Sequence, residues 1–196
     1  MPEEGAERAG TLIVVTGPSG AGKDSVIGFA ADRLSARADI HFVRRVITRP
    51  RDAGGEPHEA VTLKEFEARR EAGAFAVTWG AHGLRYGIPA VTAERVRAGQ
   101  TVIANGSRAA LPLFRDRFPR VVTVQITASR AVLARRLMAR GRESEEDILR
   151  RLDRQAPVDD PAAVVIDNSG PLPLAAGRFV ALVEAISAGR HQPATA

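Results

Sequence analysis

Short apolar runs alternate along the chain with longer stretches in which apolar residues recur every three or four positions. The short runs predict strands at 11–16, 41–47, 100–104, 121–127 and 162–167. Several lack polar alternation, which is typical of parallel strands buried on both faces. Helical spacing occupies 25–34, 62–72, 129–139 and 173–187, with a Thr62/Glu65 capping box at the start of the second of these helices. The pattern predicts an α/β fold with a parallel sheet flanked by helices.

The first apolar run leads directly into a glycine-rich segment that ends in Lys23. The spacing is that of a G-x-x-x-x-G-K phosphate-binding loop between a strand and a helix. Glycines let successive backbone N–H groups point at phosphate oxygens, and the following helix dipole attracts anions. The sequence therefore predicts a nucleoside triphosphate site built from Gly17, Pro18, Ser19, Gly20, Ala21, Gly22, Lys23, Asp24 and Ser25.

Asp24 occupies the position where this loop usually has a Ser or Thr that reaches Mg²⁺. A carboxylate beside a triphosphate is repelled unless a hard cation lies between them, so Asp24 is a candidate Mg²⁺ ligand. Aspartate is also favoured in the first turn of a helix, which is the alternative interpretation.

Composition narrows the class of protein. The 196 residues are 44% hydrophobic and 26% charged, enough for one domain over 11–188 with disordered ends at 1–10 and 189–196. No apolar run has the length of a membrane helix, so we expect a cytoplasmic protein. The absence of cysteine excludes thiolate metal sites and thiol nucleophiles. The net charge of +5, with one Trp and one Tyr, favours small phosphorylated ligands over nucleic acid.

An arginine-rich segment at about 138–152 predicts a mobile lid. Arg140 and Arg142 lie in the bend between two helical patterns, and Arg151 follows in the second helix. Transfer of a phosphoryl group needs cations around the developing charge and closure against water, and hinged arginines supply both. The alternative is a solvated helical hairpin whose arginines pair with neighbouring glutamates.

A second basic region, at about 45–90, predicts a pocket for a phosphorylated acceptor. Its candidate ligands are Arg49, Arg51, His58, Arg85 and Tyr86. A structural role is the alternative for His58 and Tyr86 in particular. Asn105 and Ser107 follow the end of a predicted strand, where ligands of open α/β sheets bind, although a tight turn explains them nearly as well.

The order of these motifs resembles the guanylate kinase family over roughly 11–186. The resemblance rests on the phosphate loop, Thr48-Arg49-Pro50-Arg51, Gly73-Ala74-Phe75, Tyr86-Gly87 and the lid. It implies a P-loop core with a small acceptor-binding region and a lid, and it places Asn168 near the adenine. Guanylate kinases read guanine with a Glu and a hydroxyl residue where this chain has Val77 and Ile88. Guanine recognition is therefore not expected.

A closer resemblance is to ribose 1,5-bisphosphate phosphokinases, relatives of the guanylate kinases. It is carried by Asp24 after the loop lysine, by Gly54-Gly55-Glu56-Pro57-His58-Glu59, by His82-Gly83-Leu84-Arg85-Tyr86-Gly87-Ile88-Pro89 and by Asn105-Gly106-Ser107-Arg108. It implies transfer of a phosphoryl group from ATP, with Mg²⁺, to ribose 1,5-bisphosphate. The alternatives are a guanylate or other nucleoside monophosphate kinase, and a non-catalytic binding module of the same fold; a nucleic-acid-binding protein is the least favoured.

Overall fold

The chain forms two sheets, a larger one that ends at the phosphate loop and a smaller one in the predicted acceptor region. The computed structural model describes residues 9–51, 56–139, 141, 145–153 and 160–189. The strands are β1 (Thr11–Thr16), β2 (Ile40–Phe42), β3 (Val46–Ile47), β4 (Glu59–Ala60), β5 (Phe75–Ala81), β6 (Leu84–Pro89), β7 (Thr101–Asn105), β8 (Val121–Thr127) and β9 (Val164–Asp167). The helices are α1 (Lys23–Arg33), α2 (Leu63–Glu71), α3 (Val91–Arg97), α4 (Leu111–Arg117), α5 (Arg130–Met138), α6 (Glu145–Asp153) and α7 (Leu172–Ser187).

The larger sheet is parallel, with strand order β2-β7-β1-β8-β9, and β1 lies at its centre. Every residue of β1 is buried because the two faces of the strand meet different cores. Ile13 and Val15 pack in the core that α1, α5, α6 and α7 cover, whereas Leu12 and Val14 pack in the core that α3 and α4 cover. This explains the uninterrupted apolar run and confirms the predicted α/β fold.

The smaller sheet has the order β4-β3-β6-β5 and adjoins the second core. Its hairpin, β5 to β6, turns at His82 and Gly83, whose φ angles of 51° and 73° are both left-handed. The single strand predicted over 41–47 is wrong. The chain pairs as β2 with β7, then leaves that sheet and pairs as β3 with β6 in the smaller sheet, where Val46 and Ile47 are buried.

Most predicted helices are confirmed to within about two residues. The capping box holds at the start of α2, where Thr62 Oγ1 accepts from Glu65 N and Glu65 Oε2 accepts from Thr62 N. α1 begins at Lys23, two residues earlier than predicted, and Gly22 is the N-cap residue of the helix. α3 and α4 were not predicted, since seven-residue helices span too few turns to show a clear apolar period.

The start of α7 follows the phosphate-binding edge of the sheet, and its end is tied to the loop before β2. Arg37 donates to both carboxylate oxygens of Asp39 at 2.8 and 2.7 Å, and Ser187 Oγ donates to Asp39 Oδ2. These bonds, those from Arg37 first, hold the pKa of Asp39 well below its usual range.

No helix in the described ranges has the length and apolarity that a bilayer crossing requires.

Candidate active site

The phosphate loop runs from the end of β1 to the start of α1. Gly17, Gly20 and Gly22 have φ angles of 141°, 89° and 89°. A Cβ at Gly17 would lie 2.1 Å from the carbonyl oxygen of Ile126, and one at Gly22 would lie 2.5 Å from Asn168 Nδ2. Side chains are excluded from both positions, so the loop keeps an open concave backbone of the kind that binds phosphate.

The side chain of Lys23 lies over this loop. Its Nζ donates to the carbonyl oxygens of Gly17 at 2.9 Å and of Pro18 at 3.1 Å. The ammonium group therefore stands at the loop's concave side, where its charge can meet the terminal phosphates of a nucleotide. Asp24 and Ser25 follow in the first turn of α1, and both are exposed.

Two side chains hold the loop from behind. Asn168 Nδ2 donates to the carbonyl oxygen of Ala21 at 2.7 Å, and Asn168 is only 2% exposed. Arg136 on α5 donates to Gly20 O, Ala21 O and Asn168 O at 3.4, 3.2 and 2.9 Å. Asn168 thus lies beside the nucleotide loop with its amide nitrogen bound to the loop backbone, and a contact with adenine stays a prediction. Arg136 was missed because nothing in the sequence distinguishes it from the other arginines near the predicted lid.

A second group of polar side chains joins α1 to the acceptor region. Asn105, at the end of β7, donates through Nδ2 to Asp24 Oδ1 at 2.9 Å and to Glu56 Oε2 at 3.0 Å. Glu56 in turn pairs with Arg45 through a very short contact between Oε1 and a guanidinium nitrogen. Arg45 and Glu56 were not predicted as site residues, although the run Gly-Gly-Glu-Pro-His offered a signal. Binding residues are found disproportionately on loops of this kind, between elements of a rigid scaffold.

Arg45 also stacks on the aromatic residues of the smaller sheet. The rings of Trp79 and Tyr86 are stacked with centroids 5.3 Å apart, and the guanidinium carbon of Arg45 lies 5.0 Å from the Tyr86 centroid. The cation–π contact helps to fix the guanidinium group. Arg45 as a whole residue is 8% exposed. Tyr86 is therefore half-buried in a stack at the acceptor region, which leaves its predicted contact with a substrate a prediction.

His58 is buried and joins two parts of the acceptor loop. Its Nε2 donates to the carbonyl oxygen of Arg49 at 3.0 Å, while Nδ1 lies 3.0 Å from Glu56 O and 3.2 Å from a guanidinium nitrogen of Arg49. With 3% exposure, the imidazole holds Arg49 and Glu56 in place, and this geometry favours the structural alternative for His58 over direct contact with a ligand.

The remaining predicted residues are spread around this region. Arg51 and Arg85 are exposed, Arg85 with its Nε 3.6 Å from Glu67, and Ser107 precedes the 3-10 turn at Arg108–Ala110. Arg140 and Arg142 lie outside the described residues, and so does the side chain of Arg151. In the segment predicted as a lid, α6 buries Ile148 and Leu152 in the first core, and both the lid and the closure by arginines stay predictions.

Val77 and Ile88, the two departures from the guanylate kinase pattern, face each other across the β5–β6 pair. They are 5% and 0% exposed and belong to the second core. Neither position can offer a hydrogen bond to the edge of a base.

Comparison with known proteins agrees with this geometry. The guanylate kinase of Anaplasma phagocytophilum superposes with a TM-score of 0.61 at 20% identity, covering 90% of this chain and 86% of that chain. The fold and the loop therefore define a guanylate kinase-like P-loop protein. No family model matches the chain.

Two curated relatives are named ribose 1,5-bisphosphate phosphokinase PhnN. The protein of Agrobacterium fabrum is 54% identical over 184 residues, which is 93% of this chain and 100% of that protein. The protein of Rhizobium etli is 50% identical over 193 residues, 97% of each chain. This chain belongs to the ribose 1,5-bisphosphate phosphokinase family.

Proposed function

We propose that this protein transfers the γ-phosphoryl group of ATP to ribose 1,5-bisphosphate, giving ADP and 5-phosphoribosyl 1-diphosphate. The observation that carries the proposal is the likeness to the phosphokinases over nearly the whole chain, together with a complete phosphate loop. The 1-phosphate oxygen attacks the γ-phosphorus, and the bond from that phosphorus to the bridging oxygen of ADP breaks.

The acceptor chemistry explains why arginines, and no general base, surround the site. A phosphate monoester has a second pKa of about 6, so the attacking oxygen is already ionised at neutral pH. Catalysis then consists of alignment and charge neutralisation. Lys23 would meet the β and γ phosphates, while Arg140, Arg142 and Arg151 would close over the transferring group. Arg49, Arg51 and Arg85 would neutralise the acceptor phosphates.

The loop residues fit a nucleotide–Mg²⁺ complex. Gly17, Gly20 and Gly22 have positive φ angles and a side chain at Gly17 or Gly22 would clash with the protein behind the loop, so the backbone itself lines the phosphate site, and Asp24 presents a carboxylate at the start of α1. Mg²⁺ is commonly bound in kinases by one or two carboxylates and by phosphate oxygens, so Asp24 would hold it directly or through water. The ion would supply neutralisation of the phosphate charge.

Guanylate kinase activity is the competing function, and the buried Val77 and Ile88 oppose it. A guanine edge left without partners in a closed pocket costs about 1–3 kcal/mol for each unpaired group. The non-catalytic module is opposed by the retained Lys23 and by the glycine geometry of the loop.

The test offers ribose 1,5-bisphosphate and GMP separately to the purified protein with Mg²⁺ and ATP. ADP is followed by a coupled assay, and the new diphosphate by ³¹P NMR. We expect turnover with the ribose bisphosphate alone. Turnover with GMP alone would replace the proposal by a nucleotide kinase, and silence with both would favour the binding module.

A further inference from the structure

Glu56 places a negative charge in the region where we propose that a substrate with two phosphates binds, and both of its carboxylate oxygens have partners. Its Oε1 contacts Arg45 and its Oε2 accepts from Asn105 Nδ2 at 3.0 Å, while its side chain is 12% exposed. A lone carboxylate would repel a bisphosphate, but Arg45 neutralises this one at contact distance. Glu56 can therefore face an anionic substrate as a hydrogen bond acceptor without a large electrostatic cost.

Two atoms of the same network are buried without a partner among the described residues: Arg45 Nε and Asn105 Oδ1. Arg45 and Asn105 are themselves 8% and 5% exposed. Polar atoms buried in this way are costly unless a ligand or water completes them, and such groups concentrate at functional sites. The network of Arg45, Glu56, Asn105 and Asp24 is thus a built polar site at the mouth of the phosphate loop.

A cation shared by the two carboxylates does not fit this geometry. Asn105 Nδ2 donates to Asp24 Oδ1 at 2.9 Å as well as to Glu56, so N–H groups occupy the space between the carboxylates. The lone pairs of Glu56 that Arg45 and Asn105 leave free are therefore available to hydrogen bond donors of a substrate. In ribose 1,5-bisphosphate with ionised phosphates, the only donors are the 2- and 3-hydroxyl groups of the ring.

On the basis of the proposed function, we propose that Glu56, fixed by Arg45 and Asn105, accepts hydrogen bonds from the ribose hydroxyls and determines specificity for the sugar. A site built to bind a hydroxyl rejects analogues that lack it far more strongly than an apolar pocket rejects an extra group.

The test compares kcat/KM for ribose 1,5-bisphosphate with kcat/KM for its 2-deoxy and 3-deoxy analogues. In Glu56→Gln we expect the preference for ribose over at least one analogue to fall about 10-fold or more, with KM for ATP unchanged. Glu56→Asp keeps the charge but withdraws the oxygens by one methylene. It should lower the same preference about threefold, and it carries the test if Glu56→Gln does not fold.

Glu59→Gln is the matched control, because Glu59 lies three residues away on β4 and pairs with the exposed Arg69. It should leave the preference unchanged. If Glu56→Gln lowers kcat/KM equally for ribose and for both deoxy analogues, the inference is overturned, and Glu56 only shapes the loop. If the wild-type protein does not turn over ribose 1,5-bisphosphate at all, the proposed function itself has failed.

Discussion

Substitution of Gly22 by alanine tests whether the phosphate loop owes its shape to a contact with Asn168. Gly22 has φ 89° and ψ 26°, a left-handed conformation that costs an L-residue about 1–2 kcal/mol. The new Cβ would also lie 2.5 Å from Asn168 Nδ2, which is closer than van der Waals contact allows. The amide must then move away from Ala21 O.

Displacement of the amide weakens its hydrogen bond to Ala21 O. Complete loss of a buried hydrogen bond destabilises the folded state by about 1–3 kcal/mol. Arg136 keeps a contact with the same carbonyl at 3.2 Å, so we expect the lower part of that range. The total is about 2–4 kcal/mol of unfolding free energy. Urea unfolding of the nucleotide-free protein, followed by circular dichroism, measures it.

Gly73→Ala is the matched control. Gly73 also has a positive φ, 71°, but nothing lies within 4 Å of its added Cβ. Its substitution therefore reports backbone strain alone, and Gly22→Ala should be more destabilising by about 1 kcal/mol or more. In an Asn168→Ala background this excess should disappear, because the side chain that blocks the Cβ is gone. Equal costs for Gly22→Ala and Gly73→Ala, or an excess that persists without Asn168, would refute the reasoning.

Three further outcomes are expected. Lys23→Ala should lower kcat at least about 100-fold with little change in urea unfolding, whereas Lys64→Ala on the exposed face of α2 should be neutral; a near-normal rate would remove Lys23 from the chemistry. Asp24→Ser should raise the Mg²⁺ concentration needed for half-maximal rate, and an unchanged requirement would leave Asp24 with its place in the first turn of α1 and its hydrogen bond to Asn105. Asp39→Asn should lower the Tm at pH 7, where the carboxylate is ionised and bonded to Arg37. Because the folded pKa of Asp39 is depressed, that stabilisation begins to fall below about pH 4 and is lost only as the pH falls through the depressed folded pKa, so the two Tm values should approach each other progressively below about pH 4. A gap that is independent of pH would contradict this origin.

The phosphate loop and the central sheet could be predicted from the sequence because their signals are local. Gly17 and Lys23 stand at fixed spacing, and the apolar run of β1 records burial on both faces. The same holds for the capping box at Thr62, since both of its hydrogen bonds join residues three positions apart.

The acceptor side of the site was harder to predict because its contacts join distant parts of the chain. Asn105 lies 49 residues from Glu56 and 81 from Asp24, and no spacing rule connects such positions. The burial of His58 was equally hidden, because its partners, two backbone carbonyls and the Arg49 guanidinium, come together only in the folded loop.

The order and spacing of glycines, lysine and apolar runs dictate local geometry, and they were enough to predict a P-loop α/β protein. The positions of Asn168 and Arg136 behind the loop, and the network of Arg45, Glu56 and Asn105, became visible only in the folded chain. Hydrogen bonds and ion pairs between distant segments depend on how the two sheets pack, and that packing is a property of the whole core.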